Sequence, residues 1–572
     1  MDDATIKITQ NKCFKEVYKD LQEYEKATGA KINYNKTKGL WTGKWRNRKD
    51  DPFQECYSEN SQKITWTNEN VKYLGIYVGN DNPALRTFEE ILPKIKRKMN
   101  YWKPLKLPIL AKARVIEIYH ASPLWYAASF HPMPLQCETE INRSFIDYLT
   151  FPKEKKHEIS KMEMQKLRKN GGIKLIQTKI KSETPKIEWL INMITDQNLE
   201  TNLKVFRKLI GTQKGNIEGE EVIFADHSFI KHTLKINDGF YNEALNAISR
   251  LQIRKHIPDL EKEPVFYNPV FTTGDGHEVE TTIKPFRGNK RLSKIKTYGN
   301  LIEAEKTEKL PVKAALRRKI RSIQNIKDSV PTNRIIGSQE EVDFNYVTQK
   351  FIYGELIHQQ SRDHIYQTKW LTEREEMGSI NWEKVWENVH QPFFTEQAKS
   401  TIWEQIHLNF YITYNYNKWH NTLKPCPLCY KIPEDIFHII LDCMFTKKMW
   451  DNLEKTLVKI TPKKITNYEK AFGLQPEAKK EKNLVILRNW LTFTLRHLIM
   501  LEERKAYYRK NTEETERGFV IKYRRKISEH TTTKELYFKH IGKEAYFENL
   551  ITAKGVIASK NEDGKYTLNN IM

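Results

Sequence analysis

Cys426-Pro-Leu-Cys429 is followed after eight residues by His438 and after four more by Cys443. No other stretch restricts the folding of this chain as tightly. Zinc takes four nitrogen or sulfur ligands in a tetrahedron, and a C-x2-C turn offers two thiolates from one knuckle. A short helix or turn carrying His438 and Cys443 would supply the other two. Three thiolates and an imidazole leave no open coordination position, so the spacing predicts structural rather than catalytic Zn2+. The competing reading is three buried cysteines and a core histidine that lie close by accident, and the clustering argues against it. Phe437, Ile439, Ile440 and Leu441 should pack a small core around the knuckle, with Trp450 closing the segment. Cys13, Cys56 and Cys137 are scattered, so the six cysteines form no disulfide framework.

The 572 residues allow roughly three or four domains. Lys and Arg number 96 against 72 Asp and Glu, a net charge of +24. Such an excess favours a polyanionic partner, RNA or DNA, over a merely solubilising surface. Charge alone does not separate RNA from DNA, or either from an anionic membrane. The most apolar run, VILRNWLTFTLRHLIM, is interrupted by Arg488 and Arg496, so no membrane span is expected. Met1-Asp2-Asp3 carries the wrong charge for a signal peptide, and an intracellular protein is expected.

Along the chain, residues 4–9 alternate like a strand. Phe14, Val17, Tyr18, Leu21 and Tyr24 recur at helical spacing before Gly29. KINYNKTKGL (31–40) reads as a second strand, 41–63 as a polar loop, and VKYLGIYVG (71–79) as one short strand with Gly75 at a bulge. Asn82 and Pro83 then open a helix striped by Phe88, Ile91, Leu92, Ile95, Met99 and Trp102, with Lys94, Arg97 and Lys98 largely off the stripe. Further helical runs cover about 109–130 and end near Phe151-Pro152. Residues 210–345 are irregular and include a basic run at 287–296. Helical patterning returns from 346, and 483–511 reads as a long amphipathic helix. Basic and aromatic residues interleave in KWRNRK (44–49) and RKMNYWKPLKLP (97–108), as in surfaces that track phosphates and stack bases, although Trp102 on the stripe reads better as core.

An Asp-Asp pair at the start of a strand can hold two Mg2+ ions for nucleotidyl transfer, but Asp2-Asp3 alone is a weak sign. The ordered set is more specific. Met1-Asp2-Asp3-Ala4-Thr5 resembles the Tyr/Phe-x-Asp-Asp tetrad of non-LTR (LINE-type) retrotransposon reverse transcriptases, without its aromatic residue. Gly29 with KINYNKTKGL is similar to the family's next block, and Lys72-Tyr73-Leu74-Gly75-Ile76 to its primer-grip strand. Trp102, Leu105, Lys112 and Arg114 stand where its thumb residues would be. Gly171-Gly172-Ile173-Lys174-Leu175 resembles the motif after the thumb. Trp382 to Trp386, Cys426 to Cys429, Glu434 to His438 and Cys443 to Trp450 resemble the C-terminal zinc segment.

The resemblance implies a mainly α fold with a small β remnant of a polymerase palm (1–80), a helical thumb (81–205) and a connector of mixed structure (206–345). A helical zinc-binding domain (346–455), a helical region (456–552) and a disordered polar tail (553–572) would follow. It implies binding of template RNA and primer for target-primed reverse transcription, in the nucleus. Asp2 and Asp3 would hold catalytic Mg2+ in the intact enzyme, with dNTP as its substrate. Lys36 or Lys38 would lie near the triphosphate, while Tyr73, Leu74 and Gly75 position the primer end and Lys94, Arg97 and Lys98 hold the primer–template. The family's fingers and third metal-binding carboxylate have no match after Met1, so this chain by itself is expected to bind primer–template without extending it and to use no small-molecule substrate. The competing readings are a non-enzymatic zinc-containing nucleic-acid-binding remnant and a zinc-stabilised protein-interaction module.

Overall fold

The computed structural model describes residues 5–34, 36–56, 63–151, 159–211, 217–225, 227–268, 270–273, 297–307, 323–326, 330, 332–359, 365–409, 425–431, 435–475, 481–508, 516–560, 566–569 and 571. The fold is mainly helical, with small two- and three-stranded sheets. Two compact units are each assembled from separate stretches of chain. One comprises Met1–Lys98, His120–Arg143 and Thr178–Leu356, and the other Met99–Tyr119, Ser144–Gln177 and Ile357–Met572. Two of the boundaries drawn from the sequence fall inside helices: 205 lies within Glu200–Ile210 and 455 within Met444–Ile460.

In the first unit the expected helix runs Cys13–Thr28 and ends at Gly29, whose φ of 71° lets its N–H bond the Glu25 carbonyl. Its buried Phe14 and Tyr18 pack with Trp41, Phe53 and Ile64. Trp41 stacks on Trp66 with ring centres 4.4 Å apart. The polar loop expected at 41–63 therefore carries core residues. Its aromatic side chains follow no period of two or 3.6, so no pattern announces their burial.

The strands are shorter than expected. Residues 5–9 join no ladder among the described residues, and 31–40 contributes only Lys38–Leu40, paired parallel with Thr65–Thr67. The indole of Trp66 covers Gly39 so closely that a Cβ there would lie 2.2 Å from the ring. VKYLGIYVG is not one strand with a bulge. It is an antiparallel hairpin of Asn70–Tyr73 and Ile76–Gly79. Leu74 and Gly75 form its turn with φ of 45° and 88°, the two positive values a type I′ turn requires.

Helix Pro83–Trp102 follows as expected, with the Leu85 N–H donating to Asn82 Oδ1 at 3.3 Å. Phe88, Leu92, Ile95 and Met99 are buried, and Lys94, Arg97 and Lys98 are exposed. Farther along, helices Thr178–Thr195 and Gly239–Ile248 pack together around a buried Lys186, whose ammonium lies 3.3 Å from Glu243. A three-stranded antiparallel sheet of Ile253–Arg254, Arg334–Ile336 and Glu341–Asp343 falls in the stretch read as irregular.

The second unit is organised by helix Lys482–Tyr508. It is not amphipathic: from Val485 to Met500 every residue is buried, both arginines included. The window Lys482–Glu502 is long and apolar enough to cross a membrane, but 89% of it is buried inside the protein. Arg488 reaches both oxygens of the equally buried Glu469, at 2.5 and 2.8 Å. It also donates to the carbonyls of Leu457 and Thr461 and to the Thr461 hydroxyl. Burial pushes the Glu469 carboxyl up despite this guanidinium. Arg496 donates to the Ala471 carbonyl, and burial pushes its guanidinium down to about 9.

Gly171 and Gly172 are forced by packing in the same unit. A Cβ on Gly171 would lie 2.6 Å from the Tyr366 hydroxyl and 2.9 Å from the Trp386 ring, and one on Gly172 only 1.9 Å from the Lys166 carbonyl. Trp403 Nε1 donates to the Gly171 carbonyl at 2.7 Å. The stretch expected as a disordered tail forms a hairpin of Ala558–Lys560 with Tyr566–Leu568, anchored by buried Ile557, Ala558 and Ile571.

Removing one partner of a buried ion pair leaves the other charged and unsolvated, which costs about 3–5 kcal/mol. Glu469→Ala should therefore lower the unfolding free energy of the second unit by an amount in that range, measured by urea titration followed by circular dichroism. A loss below about 1 kcal/mol, the range of exposed pairs, would show that Arg488 is not held as described.

Candidate metal centre

The four residues named by the spacing converge. One ligand atom from each of Cys426, Cys429, His438 and Cys443 lies within 4.8 Å of all the others. Two sulfurs bound to one zinc at about 2.3 Å stand about 3.8 Å apart in a tetrahedron, so the group is of the right size to close on an ion. Cys429 Sγ and His438 Nε2 are 3.4 Å apart. Cys426 and Cys443 are fully buried, His438 nearly so, and Cys429 half-buried.

Local backbone chemistry builds the site. The Tyr430 N–H bonds back to the Cys426 carbonyl at 2.8 Å, with Tyr430 at φ 57°, which curls the C-x2-C turn. Asp435 accepts the His438 N–H at 2.6 Å and starts the wide turn His438–Asp442. That turn closes when the Cys443 N–H reaches the His438 carbonyl at 2.6 Å. Cys443 then stands at the N-terminus of helix Met444–Ile460. The expected mini-core is present: Ile439, Ile440, Leu441 and Trp450 are buried, and Trp450 Nε1 donates to the Ile440 carbonyl at 2.8 Å. Trp370 meets Phe437 edge-on at 4.8 Å, and Arg374 pairs with Asp442 while lying 5.3 Å from the Phe437 ring. Asp435, Trp370 and Arg374 were not legible as parts of this site, because packing and capping roles leave no ligand-type spacing.

The site favours a charged donor set. Hydrogen bonding to Cys426, to the His438 ring and to the N–H groups of Thr446 and Phe445 holds the Cys443 thiol down to about 4. The His438 ring is held up to about 9 by Cys443 and Cys429. A cation at the centre would replace that proton, leaving the imidazole neutral and the sulfurs as thiolates.

The other residues singled out by the sequence fall elsewhere. Asp2 and Asp3, the basic run 287–296 and Glu434 lie outside the described residues. Lys36 and Lys38 are exposed. The strand of Lys38 is tied to the base of the hairpin, where Asn80 Nδ2 donates to the Trp41 carbonyl at 2.7 Å. At the tip, Leu74 and Gly75 are exposed and Tyr73 is half-buried. The Tyr126 hydroxyl donates to the Leu74 carbonyl at 2.8 Å, and His131 Nε2 bonds the Tyr77 carbonyl at 2.8 Å. Glu90 accepts from Lys72 at 2.6 Å and from Lys94 at 2.7 Å, which holds its carboxyl down to about 2 and stitches hairpin to helix.

Two basic residues are structural instead. Lys112 is buried and donates to the Leu149 and Phe151 carbonyls at 3.1 and 2.5 Å. Arg48 lies 4.3 Å from the Trp41 ring and bonds Asn11 and Asp50.

Since metal must displace the His438 proton, ion binding near pH 7 should release protons, and affinity should fall as pH is lowered from about 8 to about 6. Competition with a chelating dye at several pH values checks this. An affinity flat over that range would mean that these side chains are not the ligands. No protein-family model matches the chain, and no curated protein matches it.

Proposed function

We propose that this chain binds template RNA and primer as the C-terminal portion of a non-LTR retrotransposon reverse transcriptase, with Zn2+ as a structural ion. The observation that carries the reading is the hairpin Asn70–Gly79. Its tip is exposed, yet Tyr126 and the Lys72–Glu90–Lys94 link fix its position. The helix that follows, joined to the hairpin through Glu90, exposes Lys94, Arg97 and Lys98. A rigid apolar turn next to a row of cations suits a nucleic-acid end whose phosphates must be held in one place.

Two further observations support the reading. Gly171 packs against Trp386, so two stretches that resemble separate motifs of the family meet in one core. The donor set of three cysteines and one histidine is mostly buried, as in closed structural zinc sites.

Affinity for a fluorescent RNA-template/DNA-primer duplex should fall by orders of magnitude between about 50 and 200 mM salt if several phosphates are contacted. Arg97→Glu with Lys98→Glu should weaken binding and flatten the salt slope. Salt-independent binding, or an unchanged slope in that variant, would refute the reading of this surface. Elemental analysis should find about one tightly held zinc per chain. Cys429→Ser should lose the metal and lower the stability of the second unit, whereas a metal-free, fully stable wild-type protein would exclude the structural ion.

A further inference from the structure

Helix Glu516–His540 packs through Phe519, Tyr523, Ile527 and Phe538 and leaves its other face exposed. It ends at Gly542, φ 68°, where the Lys543 N–H bonds the Phe538 carbonyl at 2.8 Å. The chain turns there into helix Glu544–Ile551. The corner borders an open, solvent-facing hollow of about 640 Å³ lined by Pro392, Tyr537, Ile541, Lys543 and Tyr546 among others.

The walls are firm. Phe538 stacks on Phe393 at 5.2 Å and on Phe547 at 5.2 Å, and Tyr546 lies 5.9 Å from Phe393. Lys534 donates to the Pro392 carbonyl at 2.5 Å and lies 5.2 Å from the Tyr537 ring. The rim is aromatic and wet: Tyr537 is 44% exposed, Tyr546 37% and Ile541 40%.

Charge selects among the occupants of such a cavity. Within 516–546, Lys and Arg outnumber Asp and Glu eight to four. Lys539 and Lys543 are exposed at the end of this helix and its turn, with Glu535 and Glu544 exposed nearby. Cations beside solvent-facing aromatic rings suit an anionic strand with flat unstacked groups, since rings stack bases while Lys and Arg hold phosphates. The volume admits a base, and a base paired and stacked within a duplex has no free face to offer these rings.

We propose that this corner is a nucleobase subsite, holding one unstacked base of a single-stranded nucleic acid against Tyr537 and Tyr546, with the neighbouring phosphates on Lys539 and Lys543. The subsite rests on the nucleic-acid-binding reading above but lies in the other unit from the hairpin.

The test is anisotropy of the full chain with fluorescent oligo(U) RNA and oligo(dT) DNA of about twelve nucleotides, and with a duplex of the same length. Tyr537→Ala should weaken single-strand binding about tenfold, the scale of one lost base stack, and leave the duplex unaffected. Tyr537→Phe should keep wild-type affinity, because the ring is retained. Lys543→Glu, at an exposed position that carries no core packing, should weaken single-strand binding and flatten its salt dependence. The RNA and DNA arms show which strand is preferred. If Tyr537→Ala and Lys543→Glu both bind single strands like wild type while the chain still binds primer–template, the subsite is wrong and the wider reading stands. If the chain binds no nucleic acid at all, both fall. If these variants lose binding only to anionic phospholipid vesicles, the corner faces a lipid surface and the proposal is overturned.

Discussion

The C-terminal unit depends on burying two arginines in the middle of its central helix. Helix Lys482–Tyr508 packs against Glu396–Ile406, Met444–Ile460, Asn467–Phe472, Glu516–His540 and Glu544–Ile551, and against the His438–Asp442 turn of the metal centre. A helix surrounded in this way is most stable when it is apolar all round or its charges are answered, and Arg496, which among the described residues meets only the Ala471 carbonyl, is the costlier of the two. Arg488 is answered by Glu469 and by the carbonyls ending helix Met444–Ile460. That single guanidinium joins three helices and fixes the far end of the helix whose N-terminus carries Cys443. The cysteine–histidine cluster and the buried ion pair thus sit at opposite ends of one element.

The parts of this structure legible in the sequence are those whose chemistry is local. The Cys426, Cys429, His438, Cys443 spacing needed only the geometry of four donors, and the donors converge. Helix Pro83–Trp102 needed only a cap and a stripe, and both are in place. The hairpin at 70–79 was hidden because Leu74-Gly75 lacks the Asn or Asp that usually announces a type I′ turn. Its Leu is held at positive φ while Tyr126, far along the chain, bonds its carbonyl. The burial of Arg488 and Arg496 was hidden for a related reason. Charge in a helix reads as a solvent face until its distant partner is known, and Glu469 sits in a short helix of its own. The Trp41, Trp45, Phe53, Trp66 cluster has no period at all, so only tertiary packing reveals it.

The two units also divide the chemistry between them. One offers a stitched hairpin and a cationic helix, and the other an aromatic corner and a cysteine–histidine cluster that could hold a metal ion. In both, an exposed feature is held in place by neighbouring side chains. Tyr126, Glu90 and His131 position the hairpin, and Phe393, Phe538 and Phe547 shape the corner. Recognition of a flexible polyanion gains from such rigidity, because the protein side loses little conformational freedom on binding.

The interleaving of the units has a consequence for biosynthesis. Residues Met99–Tyr119 and Ser144–Gln177 leave the ribosome long before the segment Ile357–Met572 that completes their unit. Leu110, whose N–H meets Ser400 Oγ at 3.2 Å, and Gly171, whose carbonyl meets Trp403, lack these partners until helix Glu396–Ile406 has emerged. At ordinary elongation rates that interval is on the order of ten seconds or more. During it the nascent chain displays Ile109, Leu110, Ile173 and Leu175, all buried in the finished protein. Apolar surface left waiting in this way favours premature association between nascent chains, which is the physical condition under which chaperones matter.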